Sequence, residues 1–199
     1  MEVSKTKHRH FLIFKPYGYL SQFASNDSKQ QSKKFLGSLH DFPEGIMAIG
    51  RLDEASEGLL LLTTNGKMSA TINSQKVEKE YYAQVDGVVT ADAIKQLKTG
   101  VDITVDGDVY KTKPCKAFKL ETPPNLPQRA KKIRDDRHGP TSWVSITLKE
   151  GKFRQVRKMT AVVGFPTLRL VRVRVGAIHV NTMQAGDVVE VDAFETFMD

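Results

Sequence analysis

One cysteine, Cys115, stands in 199 residues. It excludes an internal disulfide and any cysteine-based zinc cluster. Long hydrophobic runs are missing too. No stretch approaches the roughly 20 apolar residues that cross a bilayer, and Phe11–Phe14 is too short for a signal-peptide core. There is no HExxH pair, no P-loop, no Rossmann glycine pattern and no paired-carboxylate motif. His8 and His10 sit in a polar start and read as solvated rather than as metal ligands. These absences lead to the expectation of a cytoplasmic protein that needs no metal, no cofactor and no membrane.

The chain has the length of one domain. It is long enough to bury roughly 70% of the surface its unfolded form exposes, so it holds a core without staples. Its net charge of +7 is unevenly spread. Residues 129–174 carry thirteen Lys and Arg against three acids, whereas the last 25 residues carry five acids and no Lys or Arg. Cation gathered in one region is the footprint of a polyanionic partner; the plainer alternative is a solvated basic face.

Local patterns predict more strands than helices. His10–Lys15 reads as a strand, Pro16-Tyr17-Gly18 as a turn, and Tyr19–Phe23 as its hairpin partner. Lys33–Leu39 reads as a short helix. Ile46–Ile49 leads into a glycine turn, and Gly58–Thr64 reads as a buried strand. A helix over Lys67–Asn73 follows the Asn-Gly turn. Glu80–Val85 is strand-like. Thr90 caps a helix that Gly100 ends. Asp106-Gly107 marks a hairpin between Val101–Val105 and Val109–Lys113. Residues 121–140, with four prolines and five basic residues, read as a mobile basic loop. Strands resume at Trp143–Leu148, Leu168–Val175 and Asp187–Val191, around a helix over Phe153–Val163. Tight turns between strands argue for an α+β fold with a mixed, largely antiparallel sheet.

Two segments carry the candidate chemistry. In Gly50-Arg51-Leu52-Asp53 a glycine turn presents one carboxylate beside a cation, ahead of a four-leucine run. Loops set on rigid strands are where reactive groups concentrate, and a carboxylate so placed is able to attack carbon. Glu54 and Glu57 are its rivals. The second segment is the helix after Gly151. Arg154, Arg157 and Lys158 share one side of it, while Val156, Met159 and Val163 face the core. On the strand that follows, Arg172 and Arg174 share a face with Leu168 and Leu170, while Val171, Val173 and Val175 pack inward. Helix and strand together suggest a groove tracking a phosphate backbone, with ordinary surface arginines as the alternative. Tyr81 lies two residues after Lys79, on the same strand face.

Taken in order, five segments resemble the RsuA/RluB/RluE/RluF-type branch of pseudouridine synthases. They are Phe11-Leu12-Ile13-Phe14-Lys15-Pro16-Tyr17-Gly18, Gly50-Arg51-Leu52-Asp53 with Gly58–Thr63, Lys79-Glu80-Tyr81, Glu150–Met159, and Leu170-Val171-Arg172-Val173. The resemblance implies a bent mixed sheet with a central catalytic cleft. It implies that Asp53 is the catalytic aspartate, Tyr81 the aromatic that contacts the target base, and Arg157 the cation paired with Asp53. Many members carry a small S4 RNA-binding domain in front. Here only a polar tail, residues 1–8, precedes the domain at 9–199, which favours the subset without an S4 domain that acts on 23S ribosomal RNA as a monomer. The implied reaction isomerises uridine in RNA. Arg154, Lys158, Arg172 and Lys15 are expected to grip phosphates. Arg51 or Leu52 is expected to fill the gap left by a flipped base, and Lys79, Gln155 and Leu170 complete the RNA-facing set. The rival readings are a non-catalytic RNA-binding or ribosome-assembly protein, an N-glycosidase on nucleic acid, and a synthase of the same branch acting on another rRNA.

Overall fold

A run of four leucines makes a stable strand only where both of its faces are covered. In the computed structural model, which describes residues 7–30, 32–74 and 77–194, both are. The chain begins with β1 (His10–Lys15), β2 (Tyr19–Leu20), β3 (Lys34–Phe35), β4 (Met47–Ile49) and β5 (Ser56–Thr63). Helix α1 (Gly66–Ser74), β6 (Lys79–Asp86) and helix α2 (Ala91–Thr99) follow. Then come β7 (Asp102–Val105), β8 (Asp108–Lys111), β9 (Lys116–Leu120) and β10 (Thr141–Leu148). Helix α3 (Gln155–Val162), β11 (Thr167–Val175), β12 (Ile178–His179) and β13 (Val188–Val191) complete the described chain.

Nine strands form one sheet, in the order β13-β1-β5-β11-β6-β10-β9, with β4 on β5 and β12 on β11. Only β5 and β11 run parallel in it; the other neighbours are antiparallel. This is the mixed, largely antiparallel α+β architecture expected. β5 lies inside it, and its leucines divide by the period of two. Leu60 and Leu62 pack with Phe11, Ile13 and Leu52 on one face. Leu59 and Leu61 pack with Phe14, Val171 and Val173 on the other. A third cluster joins Leu97 of α2 and Met159 of α3 to Ala83, Val144 and Ile146. Where β5 meets β11, a Cβ on Gly58 would lie 2.2 Å from the Arg172 carbonyl oxygen, and φ is +105°. Only glycine fits there.

Turn and cap signals hold. The Thr90 hydroxyl accepts from Ala93 N at the start of α2, and Asp106 and Gly107 both take positive φ in the β7–β8 hairpin. Four local expectations do not hold. Tyr19–Phe23 makes no hairpin with β1, because both edges of β1 are taken by β5 and β13; β2 instead pairs parallel with β3. Lys33–Leu39 is not helical beyond a single 3-10 turn at Leu36–Ser38, which buries Leu36. α3 starts two residues later than expected. The arginines of β11 form no open face: a bulge sets Arg172 opposite Tyr81 and Arg174 opposite Glu80, and both are engaged within the protein, Arg172 by Leu59 O and Arg174 by Glu80 and Glu78.

Loop 121–140, read as mobile, is held at several points. Arg169 of β11 donates to Pro127 O at 2.7 Å, Arg134 forms an ion pair with Asp86, and Leu126 packs on the same face as Leu59. Of the expected tail, residues 1–6 lie outside the described residues.

Candidate active site

The turn between β4 and β5 is fixed from three directions. Ser21 Oγ accepts from Leu52 N at 2.9 Å and donates to Leu52 O at 2.7 Å. Glu54 O accepts from Gly18 N at 2.8 Å and from the Lys15 ammonium at 3.4 Å. Arg157 Nη2 donates to Ala55 O at 2.9 Å and to Ser56 Oγ at 3.2 Å. The turn leaves Asp53 with its side chain a quarter exposed. Its Oδ2 lies 3.3 Å from Arg154 Nη1 and 3.9 Å from Arg157 Nε.

Asp53, Tyr81 and Arg154 line one open cavity, with Leu52, Leu170 and Gln155 among its other walls. Arg157 Nε is buried without a hydrogen-bond partner, behind the carboxylate. Burial, then the nearby Arg154 charge, pulls the Arg157 guanidinium below its ordinary value; an arginine nevertheless keeps its charge. Two cations therefore stand by one carboxylate at the edge of a cavity.

Arg154 is not on the helix face but just ahead of α3, with φ 53° and ψ 32°. A non-glycine residue in this region costs roughly 1–2 kcal/mol and marks an over-determined position. The neighbours supply the constraint. Gln155 N donates to Lys152 O at 3.1 Å, and Gln155 Oε1 accepts from Lys152 N at 2.9 Å. Gln155 Nε2 reaches Glu150 at 2.6 Å. Glu150 also accepts from Tyr110 Oη and from Lys113 N. Although burial pushes the Glu150 carboxyl up, these hydrogen bonds hold it below its ordinary value.

The rival acids are separated from the cavity. Glu54 pairs with Lys33 at 2.9 Å, and Glu57 is buried on the opposite sheet face against Arg169 and Arg129.

Several residues expected to face RNA do not. Lys15 is fully buried, with its ammonium on the carbonyls of Pro16, Tyr19 and Glu54; burial lowers its pKa to about 8. Arg172 is 3% exposed and donates to Leu59 O at 2.7 Å. Arg174 is taken by Glu80 and Glu78. Gln155 is buried in the bracket just described. Leu52 is buried with the core, and one edge of it reaches the cavity. Leu170 is a wall. Arg51 is exposed at the cavity. Lys79 is half-buried, with its ammonium on Val77 O at 3.2 Å. Lys158 donates to Thr104 O at 2.7 Å. The expected Arg157–Asp53 pair is the longer of the two arginine contacts. Sequence reasoning missed Ser21 and Glu150, since a lone serine in a polar loop and an acid inside a basic motif carry no local mark of their partners.

A model of the family described as RNA pseudouridylate synthase matches residues 9–162. The chain belongs to that family. It is an RNA pseudouridine synthase, and therefore an isomerase. The match ends before β11, which nevertheless lies between β5 and β6 in the sheet. The ribosomal large subunit pseudouridine synthase E of Xanthomonas axonopodis pv. citri is 41% identical over 167 residues, 83% of this chain and 84% of the relative. The enzyme of that name from Vibrio parahaemolyticus is 37% identical, over 93% of this chain and 75% of its own. A crystal structure of a pseudouridylate synthase superposes with a TM-score of 0.71 at 24% identity, covering 92% of this chain and 70% of its own, and so has the same fold. No helix among the described residues is long and apolar enough to cross a membrane.

Proposed function

We propose that this chain converts a specific uridine of 23S ribosomal RNA to pseudouridine, with Asp53 acting at ribose C1′. One observation carries the reading: an aspartate reaches an open cavity beside Tyr81, with two guanidinium groups at its carboxylate. Glu150 is the other acid on the cavity wall, and its oxygens are engaged by Tyr110, Lys113 and Gln155. The choice of 23S RNA rests on the large-subunit names of the relatives at 37–41% identity. Ribosomal RNA as substrate puts the work in the cytoplasm.

In this reaction the C1′–N1 bond breaks, the uracil turns over, C5 bonds to C1′, and the hydrogen on C5 leaves to water. No redox step or energy input is needed. Charge develops at C1′ as in glycoside cleavage, where a carboxylate stabilises or captures it. Asp53 either attacks C1′ or takes the C2′ proton to give a glycal; both routes need that carboxylate against the sugar. A base paired in a helix is out of reach, so the nucleotide is flipped into the cavity. Tyr81 stacks on the extruded uracil. Arg51 fills the space it leaves, and Arg154 and Lys158 meet phosphate.

The test uses 23S transcript carrying 5-tritiated uridine. Asp53→Asn keeps RNA binding and releases no tritium; release at the wild-type rate by that variant rejects the role of Asp53.

A further inference from the structure

Next to the catalytic cavity the chain makes a tight turn whose two central residues are Phe153 and Arg154, closed by Gln155 N on Lys152 O at 3.1 Å. The bracket from Gln155 to Glu150, and from Glu150 to Tyr110 and Lys113, locks this turn onto the β7–β8 hairpin. Arg154 points inward, to Asp53 at 3.3 Å. Phe153 stays outside, with 65% of its surface open. A fixed turn tip needs no aromatic for its own stability, and the ring lies outside all three apolar clusters. The Lys158 ammonium sits 5.3 Å from its ring centroid and is itself steadied by Thr104 O. Lysines 152 and 158 flank the turn, so an anion approaching it meets positive charge.

An exposed aromatic beside cations, adjoining a cavity that takes one flipped nucleotide, is the arrangement that binds single-stranded bases by stacking. We infer that Phe153 is a stacking platform for an unpaired nucleobase directly beside the target uridine in the RNA. Phe153 is thus a positioning residue for the substrate, and this rests on the reading of Asp53 and its cavity as the uridine site. The neighbouring base stacks on the open part of the ring while Lys158, with two N–H groups to spare, meets the phosphate. Flipping separates the target uridine from its neighbour, and the platform replaces part of the stacking that the neighbour loses. Stacking tolerates any base, so Phe153 secures the flipped geometry more than it selects sequence.

The experiment compares wild type, Phe153→Leu, Phe153→Ala and Phe153→Trp on 5-tritiated 23S transcript, reading KM and kcat separately. Phe153→Leu keeps an apolar side chain but no π-face. The expected result is a KM raised roughly 5- to 150-fold in the Leu and Ala variants, kcat within about twofold of wild type, and wild-type KM in Phe153→Trp. A wild-type KM in Phe153→Leu overturns the platform, as does failure of Trp to restore binding. A photo-crosslinking phenylalanine analogue at position 153 gives a second readout. Its crosslinks fall on a nucleotide adjacent to the pseudouridine mapped on the same RNA; crosslinks elsewhere reject the proposal. If wild type releases no tritium, the 23S uridine reading falls and takes the platform with it; if wild type is active and only the Phe153 results fail, that reading stands alone.

Discussion

Asp53 and Glu57 are four residues apart, and each carboxylate is met by two arginines. Asp53 sits in a turn, a quarter exposed, with single contacts of 3.3 and 3.9 Å. Glu57 sits in β5 on the opposite sheet face, 2% exposed, bidentate to Arg169 at 2.9 and 3.0 Å, with Arg129 at 3.4 Å. Arg129 also lies 3.9 Å over the Tyr17 ring. The charges are alike and the coordination differs. Bidentate pairing saturates Glu57 and makes it a fastening between β5, β11 and loop 121–140. Open coordination leaves lone pairs of Asp53 directed at the cavity. A reactive acid is distinguished here by what its arginines leave free, not by having arginines.

The sharpest break in this comparison is a crossed pair of variants. Asp53→Asn lowers turnover by at least about a thousandfold and leaves the thermal midpoint near that of wild type. Glu57→Gln does the reverse. It strands two buried arginines, costs about 3–5 kcal/mol of stability and lowers Tm by on the order of 10 °C, with chemistry intact in the fraction that is folded. Calorimetry and tritium release on the two proteins give both readings; an unstable Asp53→Asn or an inactive but stable Glu57→Gln erases the distinction.

The two arginines of the active site separate next. Arg157 both faces Asp53 and ties the turn through Ala55 O and Ser56 Oγ. Its replacement by Ala lowers kcat about a hundredfold. Arg154, with its side chain 41% exposed, is screened by solvent. Arg154→Ala lowers kcat by about tenfold and flattens the salt dependence of RNA binding. Single-turnover rates and binding at two ionic strengths order the pair; a larger kcat loss in Arg154→Ala inverts the assignment.

The smallest effect is in pH. The folded state lowers the pKa of Lys15 from 10.5 to about 8 through burial. Between those values unfolding takes up a proton that the folded protein lacks. Stability therefore rises with pH across that window, and the burial of the charge weighs fully only below about 8. Denaturant titrations at pH 7.5 and 9.5 show wild type gaining on Lys15→Met; parallel curves reject a shifted Lys15.

Much of this was legible residue by residue. The Leu59–Leu62 run marked the buried strand, Asp106-Gly107 the hairpin, Thr90 and Gly100 the ends of α2, and Gly50–Asp53 the turn that carries the acid. These are local signals, fixed by backbone geometry within a few residues. Lys15, Arg172 and Gln155 were legible as residue types and illegible as roles. Lys15 occupies an ordinary position at the end of a strand, and its three carbonyl partners come from segments up to Glu54. The alternation of Arg172 and Arg174 with valines set the valines inward correctly, yet it shows neither the bulge between the two arginines nor whether a face meets water. Arg154 and Phe153 adjoin in sequence and diverge in space because one residue takes a left-handed conformation.

The sequence by itself determined the strands, the turns, the concentration of positive charge and the acid worth watching, because side-chain period and turn chemistry act over a few residues. The tertiary structure decided which charges are free to work. β5 and β11 lie side by side and parallel, which buries Arg172 against the backbone and fastens Glu57 from behind. The turn between β4 and β5 holds Asp53 out into the cavity. Burial and coordination arise from segments a hundred residues apart, and no local pattern encodes that meeting.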